Sequence, residues 1–156
     1  MAITGGYTLN HGKAYAGMVA DGELNNTVTR LNKTGAPIGF GLFVSAGDEF
    51  DRMQPASADA RIIGVTRREL NHVTQTDGTY AIEDGMDGDV LTVGSIWVQA
   101  VDEFEVGDQV AVEFTAGDDL GKAKKAAAPE DALEGATVVG YDADAGLVQI
   151  SLKIGG

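Results

Sequence analysis

The side chains in this sequence that could do chemistry are carboxylates, two histidines, a few serines and one glycine-flanked run ending in lysine. The run Gly117-Asp118-Asp119-Leu120-Gly121-Lys122 approaches a phosphate loop, in which backbone amides cradle phosphates and the lysine neutralises them. It is one spacer residue short, and Ala123 stands where a Ser or Thr would hold magnesium. Asp84, Asp87 and Asp89 form one candidate cluster for a hard cation, and Asp142 and Asp144 another. Calcium takes roughly six to eight oxygens, and neither cluster has the long loop closed by a bidentate Glu. Asp beside Gly is ordinary turn chemistry, which accounts for both. His11 and His72 are the only histidines, and there is no Cys, so a zinc site would need both His plus carboxylates. Nothing in the spacing unites them. Ser45, Ser57, Ser95 and Ser151 lack the strand–turn–helix setting of a nucleophile elbow. Paired carboxylates could cleave glycosides, but a chain with 24 acids brings carboxylates together without purpose. Asn25-Asn26-Thr27 and Asn32-Lys33-Thr34 match the glycosylation pattern, which carries little meaning without a signal peptide. The expectation is a protein that is not an enzyme and has no cofactor and no metal site.

The elements that would position such groups read as strands. From Asp89 to Phe114 the chain runs DVLTVGSIWVQAVDEFEVGDQVAVEF, with the only tryptophan, Trp97, between two Val- and Ile-rich stretches. Val110, Val112 and Phe114 alternate with Gln109, Ala111 and Glu113, the period of a strand with one wet face. The stretch around Trp97 has blurred alternation, as expected of a strand covered on both sides. These two runs are expected to be central strands, with Trp97, Val110, Val112 and Phe114 in the core. Val148, Ile150, Leu152 and Ile154 alternate with Gln149, Ser151 and Lys153 after the turn Asp142 to Gly146, a closing hairpin. Its residues Val148, Ile150 and Leu152 join the expected core. Further strands are expected at Ala36 to Ser45, Ala60 to Leu70 and Tyr80 to Glu83. Ala46 to Ala58 reads as a loop, and Thr76-Asp77-Gly78-Thr79 as a type I′ hairpin turn. Residues 115–135 read as a mobile loop with a helical turn, since Pro129 interrupts the helix formers before it. The fold class is all-β, a compact β-sandwich or β-barrel of jelly-roll type built from short strands. Residues 36–156 form this domain. Residues 1–35 are polar, rich in Gly and poor in periodicity, and read as an extended N-terminal arm.

At 156 residues one domain is expected, large enough to bury a core without the staples that an absence of Cys rules out. No apolar run is long enough for a membrane-spanning helix, and the N-terminus lacks the basic start and apolar stretch of a signal peptide. The net charge is −13, unevenly placed. Residues 1–72 hold seven basic and seven acidic side chains; residues 73–156 hold four and seventeen. Such a surface repels phosphate backbones, so neither nucleic acid nor membrane is an expected partner.

The order of blocks resembles a known family. A Gly-rich start with AYAGMVAD is followed by NNTVTRLNKTGAPIGFGLFV, IIGVTRRE, GDVLTVGSIWVQA, EVGDQVAVEF and a closing hairpin. This is similar to the tailed-bacteriophage capsid decoration (structural cement) proteins, from about Gly12 to Ile154. The resemblance implies a β-rich structural protein on the outer capsid surface of the virion, made in the host bacterial cytoplasm. It implies the major capsid protein as partner and self-association, with a trimer favoured and a dimer possible. By the same likeness residues 1–35 would lie across capsid subunits or swap between copies. Tyr7, Tyr15 and Met18 are then the expected apolar anchors of the arm. Arg30, Arg52, Arg67 and Arg68 are the candidates for contacts to acidic capsid groups. A different reading is a carbohydrate-binding or adhesive β-sandwich with Trp97 as an exposed platform.

The two readings predict different tryptophan emission. A core Trp97 gives a blue-shifted fluorescence maximum in the native protein; a sugar platform gives a red-shifted one.

Overall fold

A computed structural model of the chain describes residues 14–69 and 80–154. The described residues form eleven strands: β1 (Asn26–Asn32), β2 (Ile38–Gly39), β3 (Phe43–Ala46), β4 (Arg52–Pro55), β5 (Ile62–Thr66), β6 (Ala81–Ile82), β7 (Asp87–Gln99), β8 (Val110–Val112), β9 (Ala123–Lys125), β10 (Ala136–Asp142) and β11 (Leu147–Lys153). The one helical element among them is a single 3-10 turn at Pro129–Asp131. The all-β expectation holds, and the barrel is the form it takes. The main sheet has the order β1-β4-β3-β5-β7-β11-β10, and β1 also pairs with β7, which closes the first five strands on themselves. The β1–β4 contact is parallel and the other pairings of this sheet are antiparallel. Closure removes the exposed edges that an open sheet of this length would present.

The core is two layers, one on each face of the closing strands. Val28 of β1, Met53 of β4, Val44 of β3, Ile63 of β5 and Val90 of β7 meet Ile38, Phe40 and Ile82 in one cluster. Each barrel strand contributes to it, so this cluster fills the barrel. The neighbouring residue on three of these strands points the other way: Phe43, Ile62 and Leu91 join Ile96, Val98, Val110, Val112, Val148, Ile150 and Leu152 in a second, larger cluster. Adjacent residues on opposite faces are what the pleat requires of strands buried on both sides. The second cluster is covered by the β8–β9 pair and the β10–β11 hairpin, with Phe104 tilted against Tyr141 at 6.2 Å between ring centres.

β7 serves both layers. Its first half, Asp87 to Val93, pairs with β1, and its second half, Val93 to Gln99, pairs with β11. Gly94 (φ +127°) stands at the changeover, where a side chain would press on Asn25. Trp97 is 9% exposed and belongs to the core. Val110, Val112, Val148, Ile150 and Leu152 are buried as expected.

Several expectations are corrected. Phe114, expected in the core, is 39% exposed. The β8–β9 ladder ends at Val112 opposite Ala123, so no strand covers the position two residues on. β8 pairs with β9, inside the stretch expected to be a mobile loop; Ala123 there is fully buried. The expected strand from Ala36 to Ser45 is broken at Gly41 (φ +66°), which separates β2 from β3. The Ala46 to Ala58 loop contains β4. Inside the stretch read as an arm, Asn26–Asn32 is β1, in register with Asp87 to Val93. The expected turn at Thr76-Asp77-Gly78-Thr79 lies outside the described residues.

β1 ends on a buried asparagine that ties three segments together. The Asn32 Nδ2 donates to the carbonyls of Ala36 and Ile82, each at 2.8 Å. Its Oδ1 accepts from the Thr34 hydroxyl at 2.8 Å and the Thr34 amide at 3.2 Å. Its backbone pairs with Met86 and Gly85. All of its donors and acceptors are satisfied although it is fully buried. Replacing Asn32 with Leu should therefore destabilise the protein by about 2–4 kcal/mol, because the orphaned carbonyls lose partners they cannot replace. Urea unfolding of Asn32→Leu against the parent protein measures this.

Candidate assembly surface

The residues just before β1 are built into the body. Between Tyr15 and Ala20 the chain runs antiparallel to the second half of β7. The Gly17 amide donates to the Trp97 carbonyl at 2.8 Å, the Trp97 amide to Met18 at 2.9 Å, and the Ala20 amide to Ser95 at 2.8 Å. The Gly17 carbonyl accepts from the Arg68 amide at 2.9 Å, so three backbones meet at one residue. Only glycine fits there. Gly17 has φ +78°, and a Cβ would stand 2.7 Å from the Arg68 nitrogen and 2.9 Å from the Thr66 oxygen. Thr66 holds the facing bend, its hydroxyl donating to Gly39 at 2.8 Å.

Arg68 leaves this crossing and stacks between two tyrosines. Its guanidinium carbon lies 4.7 Å from the centre of the Tyr15 ring and 5.3 Å from that of Tyr80. Both rings are partly exposed. Cations over aromatic faces are attracted by the ring quadrupole, which fastens Tyr15 to the end of β5. The buried Arg68 Nε has no hydrogen-bond partner among the described residues.

The structure thus brings Tyr15, Met18 and Arg68 together on this chain's own body, with Arg67 next in sequence and its amide donating to Asp89 at 2.8 Å. Arg30 lies across β7, opposite Gly88, and its guanidinium donates to the Thr29 carbonyl at 3.0 Å. Arg52 is taken up by the acids of its own hairpin, with Asp48 at 3.0 Å and Glu49 at 2.9 Å. Tyr7 lies outside the described residues, as do His11 and His72.

Three of the five acids singled out for cation binding have other partners. Asp84 accepts the Gly35 amide at 2.9 Å, Asp89 accepts the Thr29 hydroxyl at 2.9 Å, and Asp142 caps its own turn by accepting the Asp144 amide at 3.2 Å. In the phosphate-loop look-alike, Lys122 turns back onto Asp119 at 2.7 Å. Among the described residues no group of three or more His, Cys, Asp or Glu converges on a metal position. Buried Trp97 offers no flat sugar platform.

Sequence reasoning missed the most exposed large apolar side chains among the described residues. Phe50 is 93% exposed and Leu24 90% exposed. The signal for Phe50 was present: one aromatic inside Gly47-Asp48-Glu49-Phe50-Asp51, where surrounding acids leave no room for core packing.

The molecule is therefore a closed β-barrel with a second apolar layer, a docked N-terminal segment and isolated apolar side chains on an acidic exterior. Its sequence matches the family model for the structural cement protein (E217 gp24/Pam3 gp6) over residues 3–153, and the chain belongs to that family. No curated protein matches it by sequence. Among solved structures it is similar to a chain of the capsid of Myoviridae phage XM1, with TM-score 0.72 and 20% identity over 97% of each chain. It is also matched to the N base of head fiber gp8.5 of bacteriophage phi29, with TM-score 0.48, 14% identity and coverage of 83% of this chain and 94% of that one.

The β8–β9 pair is bracketed by charge. The Thr115 hydroxyl and amide, and Lys124 at 3.4 Å, hold the Glu113 carboxyl down to about 2 from the ordinary 4.5. The Glu105 amide and Lys125 lower Asp108, and Asp108 in turn raises Lys125. A carboxyl lowered by folding stabilises above its unfolded pKa and stops doing so as pH falls through its folded one. Glu113 should therefore contribute fully above about pH 4.5 and progressively less down to about pH 2. Glu113→Gln should show a shallower loss of melting temperature across that window than the parent protein, measured by thermal melts at stepped pH.

Proposed function

We propose that this chain decorates the outside of a bacteriophage head, bridging neighbouring major capsid subunits and stabilising the shell against the pressure of the packaged DNA. The observation that carries this reading is the family match across nearly the whole chain. The structure supports it physically: the barrel and its second layer make a body whose shape is set before any partner arrives. A preorganised body spends little ordering entropy on binding. Had all of residues 1–35 to order on the capsid, the backbone cost alone would be roughly 35–70 kcal/mol. Folding of the body already orders residues 14–35.

The finer elements of the reading follow. The protein acts as a structural component of the virion. It works as a homo-oligomer, a trimer in preference to a dimer, so that several weak contacts to the shell add as avidity. Tyr7 is one apolar contact to a neighbouring subunit, while Tyr15 and Met18 anchor the N-terminal segment to its own body. The exposed tyrosine faces beside Arg68, and Arg67 with it, form one contact for a neighbour's acidic groups.

Co-sedimentation with purified undecorated heads tests the role. The parent protein should saturate the heads and raise the temperature at which they release DNA. A version lacking residues 2–13 should keep its cooperative melt but bind at least about tenfold more weakly, since multivalent attachment is lost. Unchanged saturation by the truncated protein would remove the N-terminal contact, and no binding by the parent would remove the decoration role.

A further inference from the structure

We propose that the acidic turns around Phe50 form the face that docks on the shell, with Phe50 entering an apolar socket rimmed by Lys or Arg on the capsid protein. This rests on the decoration role above and names the surface that carries it. Three turns meet there, the β3–β4 tip, the turn before β7 and the turn after β1, whose Gly35 amide donates to Asp84 at 2.9 Å. The Asp51 carbonyl accepts the Leu31 amide at 2.8 Å, and the Met86 carbonyl accepts the Asn32 amide at 3.0 Å. The β3–β4 hairpin tip and the turn before β7 therefore flank the same two residues of β1. Each displays an apolar side chain to solvent, Phe50 from the hairpin and Met86 from the turn.

Phe50 is held out by its surroundings. The Gly47 amide donates to Arg52 at 3.0 Å and the Arg52 amide to Glu49 at 3.1 Å, closing the tip. The Arg52 side chain clamps Asp48 and Glu49 on the same hairpin. The phenyl ring thus stays exposed in a braced turn, the arrangement of an anchor that pays no loop-ordering cost when it is buried. Buried aromatics at the centre of an interface are the residues that dominate binding.

Charge selects the partner. The segments 33–36, 47–52 and 84–87 hold five acidic and two basic side chains, and Arg52, one of the two, is already paired. An apolar socket with a basic rim complements this face. A second copy of the chain also carries a net charge of −13, so pairing two copies through it sets like charge against like. The complementary rim is therefore assigned to the shell.

Full-length variants titrated onto undecorated heads decide the matter, with the fold of each checked by its thermal melt and its mass by sedimentation velocity. Phe50→Ser should fold, keep the parent's mass and bind at least about tenfold more weakly. Asp51→Lys should also weaken binding, and rising salt should weaken the parent's binding as the rim charges are screened. Leu24→Ser, equally exposed at the other end of β1, should bind like the parent. If Phe50→Ser and Asp51→Lys bind unchanged while the parent saturates heads, this face is wrong and the decoration role stands. If Phe50→Ser instead lowers the mass of the assembly, the face lies between copies and the shell assignment is overturned. A parent that does not bind heads overturns the role and this face together.

Discussion

A thirteen-residue strand buried along both faces still has to satisfy the hydrogen-bonding groups on both of its edges. β7 meets that constraint with partners from five parts of the chain. β1 and β5 take its first half, β11 takes its second half, the segment around Gly17 pairs with Trp97 and Ser95, and the Gly41 carbonyl accepts the Gln99 amide. Remove the N-terminal segment and the backbone of the longest strand is left open beside the only tryptophan. The barrel, the second apolar layer and the placement of Tyr15 all follow from this pairing.

The same constraint shapes what the protein can offer a partner. Residues 14–32 have the composition of an arm but are committed to the body, so only side chains that point away from it remain for assembly. These include the exposed faces of Tyr15 and Tyr80 around Arg68, and the apolar tips set among acids in the turns. Charge follows a similar division. The lysines of β9 are matched to Glu113 and Asp108 across the small β8–β9 sheet, while the acids of the turns remain at the surface. A braced body with an acidic exterior and a few preset anchors suits a protein that reinforces a larger shell.

The parts legible in the sequence were those in which one physical signal dominates. β7 and the β10–β11 hairpin carry runs of Val, Ile and Leu whose burial decides their conformation. β1, with sequence Asn-Thr-Val-Thr-Arg-Leu-Asn, shows no such signal. Its place in the barrel comes from backbone pairing and from Asn32, whose burial is tolerable only because loops distant in sequence supply partners. β4 contains a proline and only one fully buried side chain, Met53, and β9 is an alanine followed by two lysines. In each case tertiary pairing overrides local preference. Phe114 was misplaced because alternation in the sequence ran on past the point where the ladder stops. The anchors were half legible: the arginine–tyrosine stack joins residues far apart in the chain, which no spacing rule reveals. Phe50 could have been found by asking why an aromatic stands among acids.

Hydrogen exchange on the free protein tests the pairing of the N-terminal segment with β7 most directly. The account predicts that the amides of Gly17 and Ala20, which donate to Trp97 and Ser95, exchange in the same slow class as the amides shared by β7 and β11. Exchange of Gly17 and Ala20 at the rate of an unstructured peptide, with β7 and β11 still protected, would contradict it.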